Sequence, residues 1–225
     1  QLGKFIQLKS PLSEHDRKSI IELYESRYKE IGASYKSIGW GSKEDQYLRF
    51  EMLFRDINPE NKVILDVGCG FGDLVSYIEN RFTKDFLYIG LDISEKFIDH
   101  AKKKYGDTNR IFLVGELSSI VGELDSKIKL PNIDICVISG LFNYKIEDNL
   151  LFLKNNMGKL FDLSSQCLAM NFLTTYVDYQ LEKNFHFKPE DVFSLAKSLT
   201  KNVSLFHDYP LWEFTIQLHN NIYKN

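Results

Sequence analysis

From Lys62 to Leu199 strand-like and helix-like segments alternate without a break, and this restricts the possible fold more than any other property of the chain. Lys62–Val67, Phe86–Asp92, Arg110–Val114, Ile133–Ser139 and Gln166–Leu173 read as strands. Asp73–Arg81, Ser94–Tyr105, a weaker segment near Leu117–Ser126, Glu147–Phe161 and Pro189–Leu199 read as helices. Short apolar runs between turn residues suit buried strands, and apolar positions three and four apart suit helices. Ser94 is placed to cap one helix and Pro189 to open another. Such alternation builds βαβ units on a parallel, doubly wound sheet. The end departs from it: "NVSLFHDYPLWEFTIQLH" (202–219) is two strand-like runs around a turn at Asp208–Pro210, a hairpin whose last strand can run antiparallel to the rest.

The segment ahead of the alternation reads as helical. Ser13 can cap a helix with Asp16 three residues on, and Ile20, Ile21, Leu23, Tyr24 and Tyr28 give that helix an apolar face. "IGASYKSIGWG" (31–41) interrupts as a glycine-rich loop. Ser42, with Asp45 three on, then opens a second helix that Asn58-Pro59 ends. The expectation is one domain, with residues 1–60 as an N-terminal helical cap and residues 61–225 as the α/β core.

Charge narrows the classes of partner. Lys and Arg number 28 against 31 Asp and Glu, a formal net charge of −3, with no basic stripe to draw in nucleic acid. Lys102-Lys103-Lys104 reads as the solvated face of a crossover helix. No apolar run approaches the roughly 20 residues of a membrane span, and none reads as a signal peptide, so a cytoplasmic protein is expected. Cys69, Cys136 and Cys167 sit in or beside apolar runs at scattered spacing, which suits buried reduced thiols better than a disulfide framework or a zinc site. No metal is expected.

Open α/β sheets bind ligands at the carboxyl ends of their strands. "VILDVGCGFGDL" (63–74) stands at such an end, with Asp66, Gly68, Gly70 and Gly72 in succession. The dinucleotide fingerprint G-x-G-x-x-G would put its third glycine at position 73, where this chain has Asp73. Carboxylates at 66 and 73 would repel a pyrophosphate. They suit a locally cationic ligand such as S-adenosylmethionine (SAM), which carries a sulfonium and an ammonium group. Asp92, ending the second strand, can accept hydrogen bonds from both hydroxyls of a ribose. Glu116, just past the third strand, can accept from the adenine amino group, with Leu117 or Ile93 against the ring. Cys69 is a small residue that fits the tight turn.

The order D-x-G-x-G-x-G, then an acid after strand two and another after strand three, resembles the class I SAM-dependent methyltransferases from about Lys62 to Leu173. The resemblance implies a Rossmann-like, seven-stranded α/β sheet, mostly parallel, ending in an antiparallel hairpin. It implies SAM as cofactor and S-adenosylhomocysteine as product. The turn from Asp66 to Gly72 would lie along the methionine part, Asp92 would hold the ribose and Glu116 would face the adenine. Ser139, after the fourth strand, falls where this family brings cofactor and acceptor together. The flanks "GWGSKEDQYLRFEML", "NFLTTYVD" and "HDYPLWEFT" look like a group of bacterial stand-alone methyltransferases, some associated with surface-polysaccharide modification. A small-molecule acceptor follows as the expectation, with sugar nucleotides and phosphoramidate-type capsule precursors among the candidates. The alternatives are an RNA methyltransferase or a non-catalytic SAM-binding subunit.

Trp40 is expected to close over the cofactor. Arg49, mid-helix among apolar residues, either binds the cofactor carboxylate bidentately or lies on a solvated face. "SGLFNYK" (139–145) lacks the N/D-P-P-Y motif seen at this point in DNA and RNA amino-methyltransferases of the fold. Its Leu141, Phe142, Asn143 and Tyr144 are expected at the acceptor. "NFLTTYVDYQLEKNFHF" (171–187) is too long for a simple connection and reads as an acceptor lid that includes Asn171, Thr175 and Tyr176. Transfer would be an in-line displacement driven chiefly by alignment. For a hydroxyl acceptor the candidate bases are Tyr144, Tyr176, Asp178, His186 and His207. Whether oxygen or nitrogen is methylated, and the oligomeric state, stay open.

Overall fold

The computed structural model describes residues 12–117 and 132–220. Among the described residues two helices come first, α1 (Glu14–Ile31) and α2 (Lys43–Leu53). Ser13 accepts the Asp16 N–H and Ser42 the Asp45 N–H, as the spacing of hydroxyl and acid predicts. Strand β1 (Val63–Val67), helix α3 (Asp73–Arg81), β2 (Leu87–Asp92), α4 (Glu95–Tyr105) and β3 (Arg110–Val114) follow in the predicted order. The helix expected near Leu117–Ser126 lies, beyond Leu117, outside the described residues. The chain continues as β4 (Ile133–Ile138), α5 (Asn149–Leu163), β5 (Ser164–Leu173), α6 (Pro189–Leu199), β6 (Val203–Phe206) and β7 (Glu213–His219). Helix α5 starts two residues later than expected because Asp148 caps it, accepting the Leu151 N–H.

The strands form one seven-stranded sheet in the order β3-β2-β1-β4-β5-β7-β6. The pairs from β3 across to β5 are parallel, while β7 runs antiparallel to both β5 and β6. The order reverses between β1 and β4, which creates a switch-point crevice outside their carboxyl ends. Alternate strand residues serve opposite layers. Ile64 joins a core with Phe50 and Leu53 of α2, Leu74 and Ile78 of α3 and Ile98 of α4. Its neighbour Leu65 joins the other core, with Leu153, Met157 and Leu160 of α5 and Val192 of α6. Both faces are covered, so the strands read as near-continuous apolar runs rather than alternating ones.

Cys69, Cys136 and Cys167 are free and buried, in keeping with reduced thiols. Burial pushes the Cys167 thiol up to about 12. Among the described residues, no helix is long and apolar enough to cross a membrane.

Candidate active site

A cavity of about 310 Å³ opens at the switch point. Its floor is the carboxyl edge of the sheet and the glycine turn. Its roof is α1 and the loop through Ile38 and Trp40. The turn needs left-handed backbone at Gly68 (φ 79°) and Gly70 (φ 55°), which glycine adopts without the Cβ clash. Its amides are committed: Gly68 and Cys69 both donate to Leu91 O, at 2.8 and 3.0 Å. Asp92 secures the turn from the side, Oδ2 accepting the Gly70 N–H and Oδ1 the Ser94 N–H, each at 2.9 Å. Burial raises the Asp92 carboxyl and these backbone donors oppose the rise. Remaining lone pairs on Asp92 can take ribose hydroxyls.

Asp66 also lines the cavity and is buried. Burial lifts its carboxyl to about 7, although the Tyr88 hydroxyl donates to its Oδ2 at 2.6 Å and pulls the other way. Such a group gains from a cationic neighbour. Ile93, Ser139, Cys69, Glu116 and Leu117 line the same space. Glu116 is engaged by an ion pair with Arg17 of α1, so the acid expected at an adenine also ties down the roof.

Three expectations on this side need correction. Gly72 does not reach the cavity. A Cβ there would stand 2.8 Å from Phe112 Cε1 and 3.2 Å from Tyr105 Cδ2, so this glycine lets α3 pack closely on β3 and α4. Asp73 does not face the ligand space either, because it lies near Lys104 and Gln46, each at 3.3 Å. Of the two acids invoked for a cationic ligand, Asp66 alone lines the cavity. Arg49 cannot offer its fork, because Nε and Nη2 already hold Glu213 of β7 at 2.6–2.9 Å. Nor is Arg49 on a solvated face: it is 8% exposed, it lines the cavity, and Nη1 has no hydrogen-bond partner among the described residues. Trp40, expected to close over the cofactor, lines the cavity with the Arg49 guanidinium 4.2 Å from its ring centroid.

Leu141, Phe142, Asn143 and Tyr144, expected at the acceptor, line the cavity. Asn171 stands behind them, accepting the Gly140 N–H at 2.7 Å and so holding the loop after β4. The 171–187 segment does wall the cavity, but through Leu173, Leu181, Lys183 and Asn184 rather than Thr175 and Tyr176. It docks on the β4 loop by hydrogen bonds from Lys145 N to Lys183 O and from Phe185 N to Asn143 O, each at 3.0 Å. Of the candidate bases, Tyr144 alone lines the cavity. Tyr176 is 57% exposed and bonds Glu190, Asp178 and His207 are exposed, and His186 Nδ1 is spent on Thr174 O at 2.7 Å. A long aromatic segment signalled a lid, but sequence could not say which of its side chains turn inward.

Glu213, Tyr88, Tyr24 and Arg27 were missed. Glu213 did leave a trace: an acid at the head of the apolar run of β7 and an arginine between Leu48 and Phe50 of α2 satisfy one another best. Burial raises the Glu213 carboxyl, and Arg49 opposes the rise. Among the described residues, no group of three or more His, Cys, Asp or Glu is placed to hold a metal ion.

A model of the methyltransferase domain matches residues 64–155, from β1 into α5. A Mycobacterium tuberculosis (strain ATCC 25618 / H37Rv) protein assigned as a methyltransferase is 30% identical over 162 residues, covering 68% of this chain and 90% of that protein. The chain belongs to the class I SAM-dependent methyltransferases. The plantazolicin methyltransferase BamL, solved with S-adenosylhomocysteine, shares the fold of this methyltransferase at TM-score 0.59 and 16% identity, over 91% of this chain and 96% of that one. A SAM-dependent methyltransferase from Aquifex aeolicus does so at TM-score 0.52 and 15% identity, over 87% and 97%. A tRNA (guanine-N(7)-)-methyltransferase of Prochlorococcus marinus (strain AS9601) is 25% identical, over 61% of this chain and 72% of that protein. The donor set fits the cofactor of a methyltransferase. Asp92 can serve a ribose, Ile93 and Leu117 an aromatic ring, Asp66 a positive charge, and the orphaned Arg49 Nη1 a carboxylate.

Proposed function

We propose that this methyltransferase moves the methyl group of SAM to an oxygen or nitrogen of a small molecule. One observation carries the reading: Asp66, the Gly68–Gly70 turn and Asp92 share a single roofed cavity with Asn143 and Tyr144. Cofactor-type and acceptor-type groups thus meet in a slot sized for small ligands.

When bound, SAM supplies an electrophilic methyl on a sulfonium. The chain's own residues do the rest. Asp92 fixes the ribose and thereby the long axis of the cofactor. Asp66 gives a buried carboxyl beside the turn where positive charge is carried. Trp40 and α1 exclude water, and Leu141, Phe142 and Leu181 give the acceptor an apolar seat that sets its approach. Tyr144 can accept a hydrogen bond from an acceptor hydroxyl or amine and orient it. An amine attacks once deprotonated, whereas a hydroxyl also loses its proton in the transfer.

Calorimetry with SAM is the first test. Wild type should bind, and Asp92→Ala should weaken binding at least about tenfold, the scale of losing charge-assisted hydrogen bonds. No binding by wild type, or equal binding by Asp92→Ala, would sink the reading. Sugar nucleotides and phosphoramidate-type capsule precursors are the acceptors to assay first, on the strength of the flanking segments. An RNA acceptor would instead show as salt-sensitive RNA binding. A non-catalytic subunit would show as no turnover together with a stable protein partner.

A further inference from the structure

The Arg49–Glu213 pair is an unusual thing to bury beside a cavity. It joins α2, from the start of the chain, to the first residue of β7, near its end. Glu213 is 1% exposed and takes three donor contacts from one guanidinium at 2.6–2.9 Å. This two-point grip fixes the guanidinium plane, and Trp40 packs on that plane with 4.2 Å between guanidinium and ring centroid. What the grip leaves over is Nη1, a buried donor without an acceptor among the described residues. A buried unpaired N–H is costly, and in a site it marks where an absent partner belongs. Arg110 offers a contrast. It too leaves one nitrogen unpaired, but its guanidinium lies on Phe86, bonds carbonyls and Glu79, and does not line the cavity.

The sheet order says which part of a ligand Nη1 would meet. Glu116 follows β3, Asp92 ends β2, the glycine turn follows β1, and Gly140 follows β4 with Trp40 against it. Glu213 pairs with Leu173 at the end of β5. An adenosine held at β3 and β2 therefore points its other end toward β1, β4 and this pair. On SAM that end carries a carboxylate.

We infer that Glu213 is a positioning residue, holding Arg49 so that Nη1 grips the carboxylate at the amino-acid end of the cofactor. The inference rests on the proposed cofactor reading. Glu213 meets no reacting atom. Its role is to neutralise the guanidinium and aim its one free corner. Lysine in place of Arg49 could pair with Glu213 but could not present a second donor at a fixed angle.

The test compares three ligands by calorimetry: SAM, decarboxylated SAM, and 5′-methylthioadenosine, which lacks the amino-acid end. Wild type should prefer SAM over decarboxylated SAM by about ten- to a hundredfold, the scale of a charge-assisted bond. Glu213→Gln should cut that preference to about threefold or less by weakening SAM alone, with methylthioadenosine binding unchanged. A uniform loss on all three ligands would assign Glu213 to structure only. A preference that is kept or strengthened would overturn the inference, and would leave Nη1 for an anionic group on the acceptor. Should Glu213→Gln lose methylthioadenosine and unfold, Arg49→Lys decides: loss of the preference supports the clamp and retention refutes it. If wild type binds neither SAM nor methylthioadenosine, it is the cofactor reading itself that fails.

Discussion

Trp40 and Gly140 touch in a way that only glycine permits. A Cβ at position 140 would stand 2.9 Å from Trp40 Cζ2 and nearer still to Cη2, and the backbone there has φ 75°. The loop that roofs the cavity and the loop that follows β4 therefore close on each other through a missing side chain. Gly140→Ala should push the indole off its seat, strain the backbone and open the site. The expected outcome is SAM affinity lower by about tenfold or more, read by calorimetry, with a shift in Trp40 fluorescence. Unchanged affinity would remove Trp40 from the lid.

Asp66 should make SAM binding depend on pH. Its carboxyl titrates at about 7 in the ligand-free protein because burial disfavours the anion. A cationic ligand favours the anion, so binding should release a proton below about 7. SAM affinity should then fall as pH drops from about 7 toward 5.5, approaching tenfold per unit, and Asp66→Asn should flatten the slope while weakening binding. Calorimetry in two buffers of different ionisation heat reads the proton directly. No pH slope and no proton release would refute the assignment.

The same carboxyl sets a sign for stability. Its value is raised from 3.8 to about 7 on folding, so between those values the native state holds a proton that the unfolded chain has lost. Stability of the ligand-free protein should fall as pH rises through that window. Asp66→Asn should raise the Tm at about pH 8 and leave it little changed near pH 4, by thermal unfolding. Equal effects at both pH values would mean that the change acts on packing instead.

The exposed base candidates should be dispensable. A true general base is worth about 10²- to 10⁴-fold. Asp178→Asn, His207→Ala and Tyr176→Phe should each keep S-adenosylhomocysteine release within about threefold of wild type, whereas Tyr144→Phe should cost about tenfold or more. The assay is product release with the acceptor under test. A hundredfold loss from either His207→Ala or Asp178→Asn would mean that the 171–187 segment or the β6–β7 turn moves inward during turnover.

Gly72 should separate folding from binding. Alanine there meets Phe112 and Tyr105 at a φ of 76°, which should destabilise by about 1–3 kcal/mol. The cofactor affinity of the folded protein should match wild type, because position 72 does not line the cavity. A selective loss of SAM affinity would return Gly72 to the site.

The legible parts were those that backbone physics writes locally. Ser13 and Ser42 announced their helices by hydroxyl and acid spacing, and buried parallel strands showed as apolar runs. The place of Asp92 at the cavity was legible because strand, turn and acid fall in a fixed order. Direction was not legible where only packing sets it. Asp66 and Asp73 look alike in sequence, yet one faces the cavity and the other meets Lys104 of a distant helix. The side chains 171–187 divide between the inner and outer surface according to how the segment docks on Asn143 and Lys145. Arg49 and Glu213 stand 164 positions apart, and a pairing that long is invisible to any local pattern.

Helix α1 has one more consequence. It is 18 residues long and none of its side chains is buried, although Ile20, Ile21, Leu23 and Tyr24 line the cavity. It is held by rim contacts: Arg17 to Glu116, Glu25 to Lys96, and Tyr24 and Tyr28 edge-on to Phe97. Rim ion pairs contribute little, and Tyr28 adds a ring contact to Phe71, so α1 depends on few contacts. The apolar stripe of α1 faces the cavity, so a ligand in the slot would add to the surface against which this helix packs. Amide exchange in α1 should therefore report occupancy, fast in the empty enzyme and slow once the slot is filled.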